Sequence, residues 1–217
     1  MGFFRLVFRG LTHHWRLHAG MFLGVWICAV VMSGAVTVGD SVRSTLRRAG
    51  EVRLGGVRTA LIGGERFFRA DLATEMGGRD AALIVTRGSA TVPDGSVRAN
   101  QVQVFGVDSR FWAFAPDGMR REVATAECAV NEVLAARLGV RGGDTLVVRV
   151  EKASALSKDA PLSGKEDEVE GLRVRVAAVL DRKRFGAFGL SPVQVPGPSV
   201  FFDRDFLADR MGATGRA

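Results

Sequence analysis

The chain has 217 residues and a formal net charge of +7, and hydrophobic residues make up 47% of it. This size allows one large domain, or one ordinary domain with an appendage, and leaves enough apolar residues for a membrane span. The basic residues are mostly arginines scattered among acids after residue 40, which argues against nucleic-acid binding, and two cysteines, Cys28 and Cys128, are too few for a disulfide framework or a cysteine metal site.

An uncharged run dominates the N-terminal part, which reads HAGMFLGVWICAVVMSGAVTVGD over residues 18–40. The run from Ala19 to Gly39 matches the roughly 20 residues that cross a hydrocarbon core of about 30 Å. A helix can satisfy its few polar side chains through its own backbone. We therefore predict a transmembrane helix over residues 18–39. Its membrane-embedded side chains are Met21, Phe22, Leu23, Val25, Trp26, Ile27, Val30 and Val31.

Two other interpretations of this run stay open. A cleaved signal peptide would use residues 21–32 as its apolar region and Ser33-Gly34-Ala35 as its cleavage site, although the leader is long and apolar residues continue past the cut. The core helix of a soluble domain is usually shorter and keeps a polar stripe, which this run lacks.

The residues before the run, 1–17, predict an amphipathic helix at the membrane surface. Apolar and basic side chains recur at helical spacing, and each kind occupies its own face. The apolar face comprises Phe4, Phe8, Leu11 and Trp15. The interfacial positions are Arg5, Arg9, Trp15 and Arg16.

Gly20 and Gly24 form a small-xxx-small step at which another helix could approach closely. Arginines occur on both sides of the run, so charge alone does not fix its orientation. Residues 40–56 predict a stalk helix that begins at Asp40 or Ser41 as its N-cap.

Residues 57–217 predict one α+β domain of mixed strands and few helices. Strands are expected at 57–64, 81–90 and 97–107, a helix at 66–77 and a short helical turn within 108–115. A strand leads into a helix from Asn131 to Leu138 that Gly139 ends. Further strands are expected at 145–150, 171–180 and 198–203, a polar mobile loop at 151–170, and a closing helix at 204–212.

Catalytic chemistry is not predicted. The three histidines, His13, His14 and His18, precede the apolar run, and residues 1–39 contain no acid that could complete a metal or catalytic site with them. The chain has no P-loop and no G-x-S-x-G motif. The carboxylates Glu65, Asp71, Asp94 and Asp108 are expected to lie on solvated faces. We predict no enzyme activity, no cofactor and no metal.

Several stretches in order resemble one family, the FtsX-like permeases of ABC transporters with a MacB-type periplasmic core domain. They are FRLVFRGLTHHWR, VGDSVRSTLRR, ALIGGERFFRADLA, VRANQVQVFGVDSRFW and NEVLAARLGVRGGDTLVVRVEKASALSKDAPL, and they cover essentially the whole chain. The resemblance implies a bacterial inner-membrane protein with a cytoplasmic N-terminus and an extracytoplasmic, MacB-like domain over residues 57–217.

The same resemblance implies partners and a function. The chain would be a non-catalytic permease component that couples to a separate ABC ATPase subunit, the lipid bilayer, and further transmembrane helices or a second permease copy. Family members export lipids, lipoproteins or drugs, or transmit mechanical motion. They continue into at least three more transmembrane helices, which predicts that this chain is a fragment or a split subunit. The alternative is a single-pass, membrane-anchored extracytoplasmic binding or scaffold protein.

Overall fold

A computed structural model describes residues 2–63, 67–77, 80–118, 121–151, 169–190 and 195–216. The chain forms two compact units, Met1–Ala49 and Gly50–Ala217.

Two helices account for the first unit. Helix α1 spans Phe3–His13, and helix α2 spans Trp15–Leu54 and continues into the second unit. At 40 residues, α2 is about 60 Å long. The hydroxyls of Ser33 and Thr37 donate to the carbonyls of Val30 and Ser33, which confirms that the helix backbone satisfies its own polar side chains.

The predicted start of a separate stalk helix is wrong. Asp40 and Ser41 lie inside α2, and the Ser41 carbonyl accepts hydrogen bonds from the hydroxyls of Ser44 and Thr45. No proline interrupts the sequence there, and one glycine does not stop a helix that continues on both sides. The predicted span at 18–39 and most of the predicted stalk at 40–56 are therefore parts of one helix.

Helix α2 ends at a glycine pair in the second unit. Gly55 has φ +55° and its N–H donates to the Glu51 carbonyl, while the Gly56 N–H donates to the Phe114 carbonyl at 2.8 Å. The Arg53 side chain lies against Gly189, where an added Cβ would come within 2.8 Å of Nη2. The last turn of α2 is thus fixed to the second unit by close backbone contacts.

The segment that follows is less regular than its sequence predicts. Residues 57–63 form no strand, and residue 64 lies outside the described residues. Of the helix predicted at 66–77, the structure contains only the short helix α3, Leu72–Glu75. Arg66 lies outside the described residues. Arg69 pairs instead with Arg216 in an isolated bridge, and the Ala70 N–H donates to the Gly215 carbonyl. Pairing with a distant segment therefore replaces the first turns of the predicted helix.

Six strands form a closed barrel in the order β1-β2-β6-β3-β5-β4. The β2–β6 and β3–β5 pairs are parallel and the others are antiparallel. Closure leaves no unpaired sheet edge. The strands are β1 Leu83–Thr91, β2 Arg98–Val107, β3 Glu127–Asn131, β4 Thr145–Glu151, β5 Val169–Leu180 and β6 Ser199–Asp203.

These elements confirm most of the predicted domain. Helix α4, Glu132–Leu138, follows β3 directly and ends at Gly139 with φ +70°. Helix α5, Arg204–Arg210, follows β6, and a 3₁₀ turn covers Phe111–Phe114. The ends of the predicted polar loop, residues 151, 169 and 170, belong to β4 and β5, while residues 152–168 lie outside the described part of the chain.

Two apolar clusters bury the barrel strands. The first takes side chains from all six strands and from α4 and α5, so it fills the interior; Val148 and Val174 are examples. The second covers the outer face of β2, β3 and β6 with rings that stack at centroid distances near 5 Å, such as Phe105 on Phe201 at 5.0 Å. Neighbouring residues on β6 therefore enter opposite clusters, Phe201 the outer one and Phe202 the inner one.

We predict that Gly55→Ala destabilises the second unit and that Gly56→Ala does not. A Cβ at Gly55 would overlap the Phe114 carbonyl oxygen, and a positive φ costs a non-glycine residue about 1–2 kcal/mol. At Gly56 the nearest atom would lie at 3.5 Å, an ordinary contact. Urea unfolding followed by tryptophan fluorescence in mild detergent should show a loss of at least about 2 kcal/mol for Gly55→Ala only. Equal midpoints for the two variants would contradict this assignment.

Candidate functional site

The outer surface of α2 is the most unusual surface of the molecule. The eight predicted membrane-embedded side chains are all exposed, from 51% at Ile27 and Val30 to 75% at Phe22. None of the residues of α2 is buried, whereas the core helix of a soluble domain would be mostly buried. By length and composition α2 is a candidate membrane span, and a signal sequence near the N-terminus meets the same two criteria.

The other predicted residues of the first unit also lie open. A Cβ built on Gly20 or Gly24 meets no atom within 4 Å, so the structure leaves room for a second helix there. Arg5, Arg9 and Arg16 are exposed. Trp15 is exposed together with Phe8 and Leu11, whereas the side chain of Phe4 lies outside the described part. Their membrane roles stay predictions.

The carboxylates singled out in the sequence are not brought together. Asp108 accepts hydrogen bonds from Arg110 Nε and from the Phe111 N–H, each at 3.0 Å, and lies 3.8 Å from Arg204. Asp94 accepts from the hydroxyl and the N–H of Ser96, which lowers its pKa below the usual range. Asp71 is exposed beside α3, and Glu65 lies outside the described residues. Each described carboxylate therefore serves local structure or faces solvent.

A polar depression of about 290 Å³ lies beside Trp112. Arg121 forms an ion pair with Asp117 and places its guanidinium 5.7 Å from the centre of the Trp112 ring. Ser109 also lines the depression, and the lining residues that the structure describes include no histidine that could activate its hydroxyl. Within the described residues no group of three or more His, Cys, Asp or Glu side chains could hold a metal.

Asn131 is the most connected polar residue of the barrel. Its Oδ1 accepts from the N–H groups of Leu134 and Ser199, and its Nδ2 donates to the carbonyls of Gly186 and Gly197. The first of these bonds caps the N-terminus of α4, one residue before the helix begins at Glu132. The other three join segments 55 to 68 residues away, which no local pattern indicates. Asn131 is fully buried and satisfied, so its role is structural.

Cys128 is unsuited to chemistry. It is fully buried inside the barrel, and burial, with a smaller contribution from the charge of Glu127, raises its thiol pKa to about 12. A nucleophilic or metal-binding cysteine needs its thiolate, which this environment disfavours. Cys28, by contrast, is exposed on α2.

Comparison of the sequence with models of known protein families and with curated proteins yields no match. The structure itself shows one long apolar N-terminal helix and a six-stranded barrel domain with helices.

We predict a pH-dependent loss of stability that originates at Cys128. The thiol has a pKa of about 12 in the folded chain and an ordinary value near 9.0 when unfolded. Below pH 9 both states hold the proton. Between pH 9 and about 12 only the unfolded state loses it, so the free energy of unfolding falls by about 1.4 kcal/mol per pH unit.

The measurement compares urea unfolding of Cys28→Ala with that of Cys28→Ala/Cys128→Ala from pH 8 to 10.5. The difference between the two free energies should shrink by about 2 kcal/mol, because all other titrating groups are shared. If the free energies of unfolding of the two variants changed with pH in parallel, the pKa of Cys128 would not be raised in the folded chain.

We also predict that Val30→Arg abolishes stable membrane association and that Val42→Arg does not. An arginine at the centre of a span raises the free energy of membrane insertion by about 3 kcal/mol. The apolar side chains of the run lower the same free energy by roughly 2.5 to 5 kcal/mol in total. Val42 is exposed on the same helix but lies beyond Asp40. Alkaline carbonate extraction of membranes should release the first variant and retain the second. Equal behaviour of the two would argue against burial of this stretch in lipid.

Proposed function

We propose that this chain is a non-catalytic membrane component of an ABC-type export or mechanotransmission system, and that it couples to a separate ATPase subunit. Its helix α2 would cross the bacterial inner membrane with the N-terminus in the cytoplasm. Its barrel would lie outside the membrane, and α1 would rest on the cytoplasmic surface with Arg5 and Arg9 toward the headgroups. Arg16, in the first turn of α2, would lie at the same surface. The barrel would correspond to the MacB-like domain that the resemblance implies.

One observation carries this proposal, namely the continuity of α2. A single helix runs from the exposed apolar stretch into the second unit, with every turn hydrogen-bonded, and a helix resists stretching and bending far better than a loop. A displacement of its apolar part would therefore reach Leu54. No flexible linker lies between the two ends.

The end of α2 supports the same mechanism. The Gly56 N–H binds the carbonyl of Phe114, which follows Phe111 and Trp112 in the 3₁₀ turn. Those two rings are buried in the outer aromatic cluster, where Phe111 stacks on Phe185 at 4.9 Å. Movement of the helix would therefore act on a packed aromatic layer, which transmits strain because close-packed interiors are hard to compress.

The closed barrel favours a second function, that of a single-pass anchored binding or scaffold protein. Each strand has two neighbours, so the sheet needs no other chain to complete it. The polar depression beside Trp112 offers such a protein a place for a ligand. In this alternative no ATPase takes part.

Topology is tested with Ala136→Cys in a Cys28→Ala background. Ala136 is exposed on α4, whereas the native Cys128 is buried and cannot be labelled in the folded chain. We expect a membrane-impermeant maleimide to label this variant in spheroplasts and not in inverted vesicles. Labelling only in inverted vesicles would place the barrel in the cytoplasm and contradict both functions.

Purification from native membranes then separates the two functions. We expect an ATPase subunit to co-purify with the chain, and ATP hydrolysis to follow the chain through size exclusion. Gly55→Ala, which should detach the helix end, should reduce coupling without abolishing labelling at residue 136. Recovery of the chain without any ATPase, with the barrel outside, would favour the scaffold.

A further inference from the structure

We propose that the outer face of strands β1, β2, β4 and β5 is a docking surface for an acidic protein segment. Five exposed arginines, distant in sequence, meet on this face, which we call the arginine face. The surface belongs to the barrel alone and requires neither an ATPase nor the membrane. Its arginines are Arg87, Arg98, Arg149, Arg173 and Arg175.

Strand register places these arginines side by side. Arg149 on β4 lies opposite Ser89 on β1, so Arg87 is its diagonal neighbour. Arg173 on β5 lies opposite Val147, which makes it the diagonal neighbour of Arg149 on the other side. Diagonal neighbours on one face are about 7–8 Å apart. The three central arginines thus form an oblique row across three strands.

The row points outward because the alternate residues fill the interior. Gly88, Val150 and Leu172 take the opposite face, and the latter two are core side chains. Gly88 matters for the assembly of the face, since a Cβ there would overlap the Arg149 carbonyl. The absence of a side chain lets β4 approach β1 and close the barrel.

Among the described side chains, one arginine of the face has a carboxylate partner. Arg175 binds Glu127, with Nη2 to Oε1 at 2.7 Å and Nε to Oε1 at 3.1 Å. No side chain that the structure describes forms an ion pair with Arg87, Arg149 or Arg173, and the side chain of Glu151, which follows Arg149 on β4, lies outside the described part. Like charges on neighbouring strands destabilise a sheet, so an anionic partner would relieve this repulsion.

The neighbourhood of the row selects a carboxylate partner over other anions. Single-stranded nucleic acid is held by exposed aromatic side chains, and the large apolar residues that the described barrel unit exposes include none. A bilayer surface needs apolar anchors, and this face exposes only Val85 and Val97 at its margin. The Arg175–Glu127 pair shows that the face already binds a carboxylate, whose geometry matches the guanidinium fork.

An extended acidic strand fits the spacing of the row. Side chains on one face of a strand recur about every 6.8 Å, close to the diagonal spacing of the arginines. The probe is therefore a fluorescein-labelled ten-residue peptide of alternating glutamate and serine, and its glutamine counterpart is the control. The full chain is presented in nanodiscs of neutral phosphatidylcholine.

We expect the glutamate peptide to bind with a salt-dependent Kd and the glutamine peptide not to bind. Arg87→Gln/Arg149→Gln/Arg173→Gln should raise Kd about thirtyfold, at roughly threefold for each exposed pair. A triple variant that removes equal charge elsewhere, Arg137→Gln/Arg141→Gln/Arg182→Gln, should change Kd less than about twofold. Circular dichroism verifies that both variants are folded.

Three results would overturn the proposal. One is an equal loss of affinity in both triple variants, which would show nonspecific attraction to net charge. The second is that the chain binds a single-stranded RNA 20-mer more tightly than the glutamate peptide. The third is that it binds phosphatidylglycerol vesicles more tightly than the glutamate peptide.

Discussion

The exposed apolar surface of α2 is the constraint on which the rest of the structure depends. Each large apolar side chain held in water forgoes about 1.5–3 kcal/mol of burial energy, and eight such side chains lie between Met21 and Val31. Nothing in the described part of the chain covers them, since no residue of α2 is buried. A lipid environment would supply that burial without any further protein contact, and a signal sequence near the N-terminus would present the same surface.

Helix α2 contributes residues to both compact units, Met1–Ala49 and Gly50–Ala217. The hydrogen-bonded backbone of α2 continues past Asp40 to Leu54, and the glycine pair then binds it to the carbonyl of Phe114. Loops between domains usually separate their motions, because a few rotatable residues absorb a displacement. Helix α2 is continuous from Trp15 to Leu54 and contains no such loop.

Local patterns predicted the parts of the fold that depend on neighbours in sequence. The alternation in β4 and β5, the existence of helix α4 and its end at Gly139 were all visible there. The closed barrel was not, because strand order rests on contacts such as Gly88 against Arg149 that have no local signature. The helix predicted at 66–77 failed for the same reason, since Arg69 pairs with Arg216. The predicted membrane residues came from composition, whereas the arginine face needed strand register.

The polar chemistry of the barrel divides by location, and this division bears on function. Inside the barrel, the side chain of Asn131 hydrogen-bonds backbone groups, and burial raises the pKa of the Cys128 thiol. Outside, the central arginines of the arginine face form no ion pair with a side chain that the structure describes. Buried groups that are satisfied stabilise one fold, while exposed groups of one sign raise the encounter rate with an oppositely charged surface. The polar groups that fix the fold of this barrel are therefore separate from the charges that it presents at its surface.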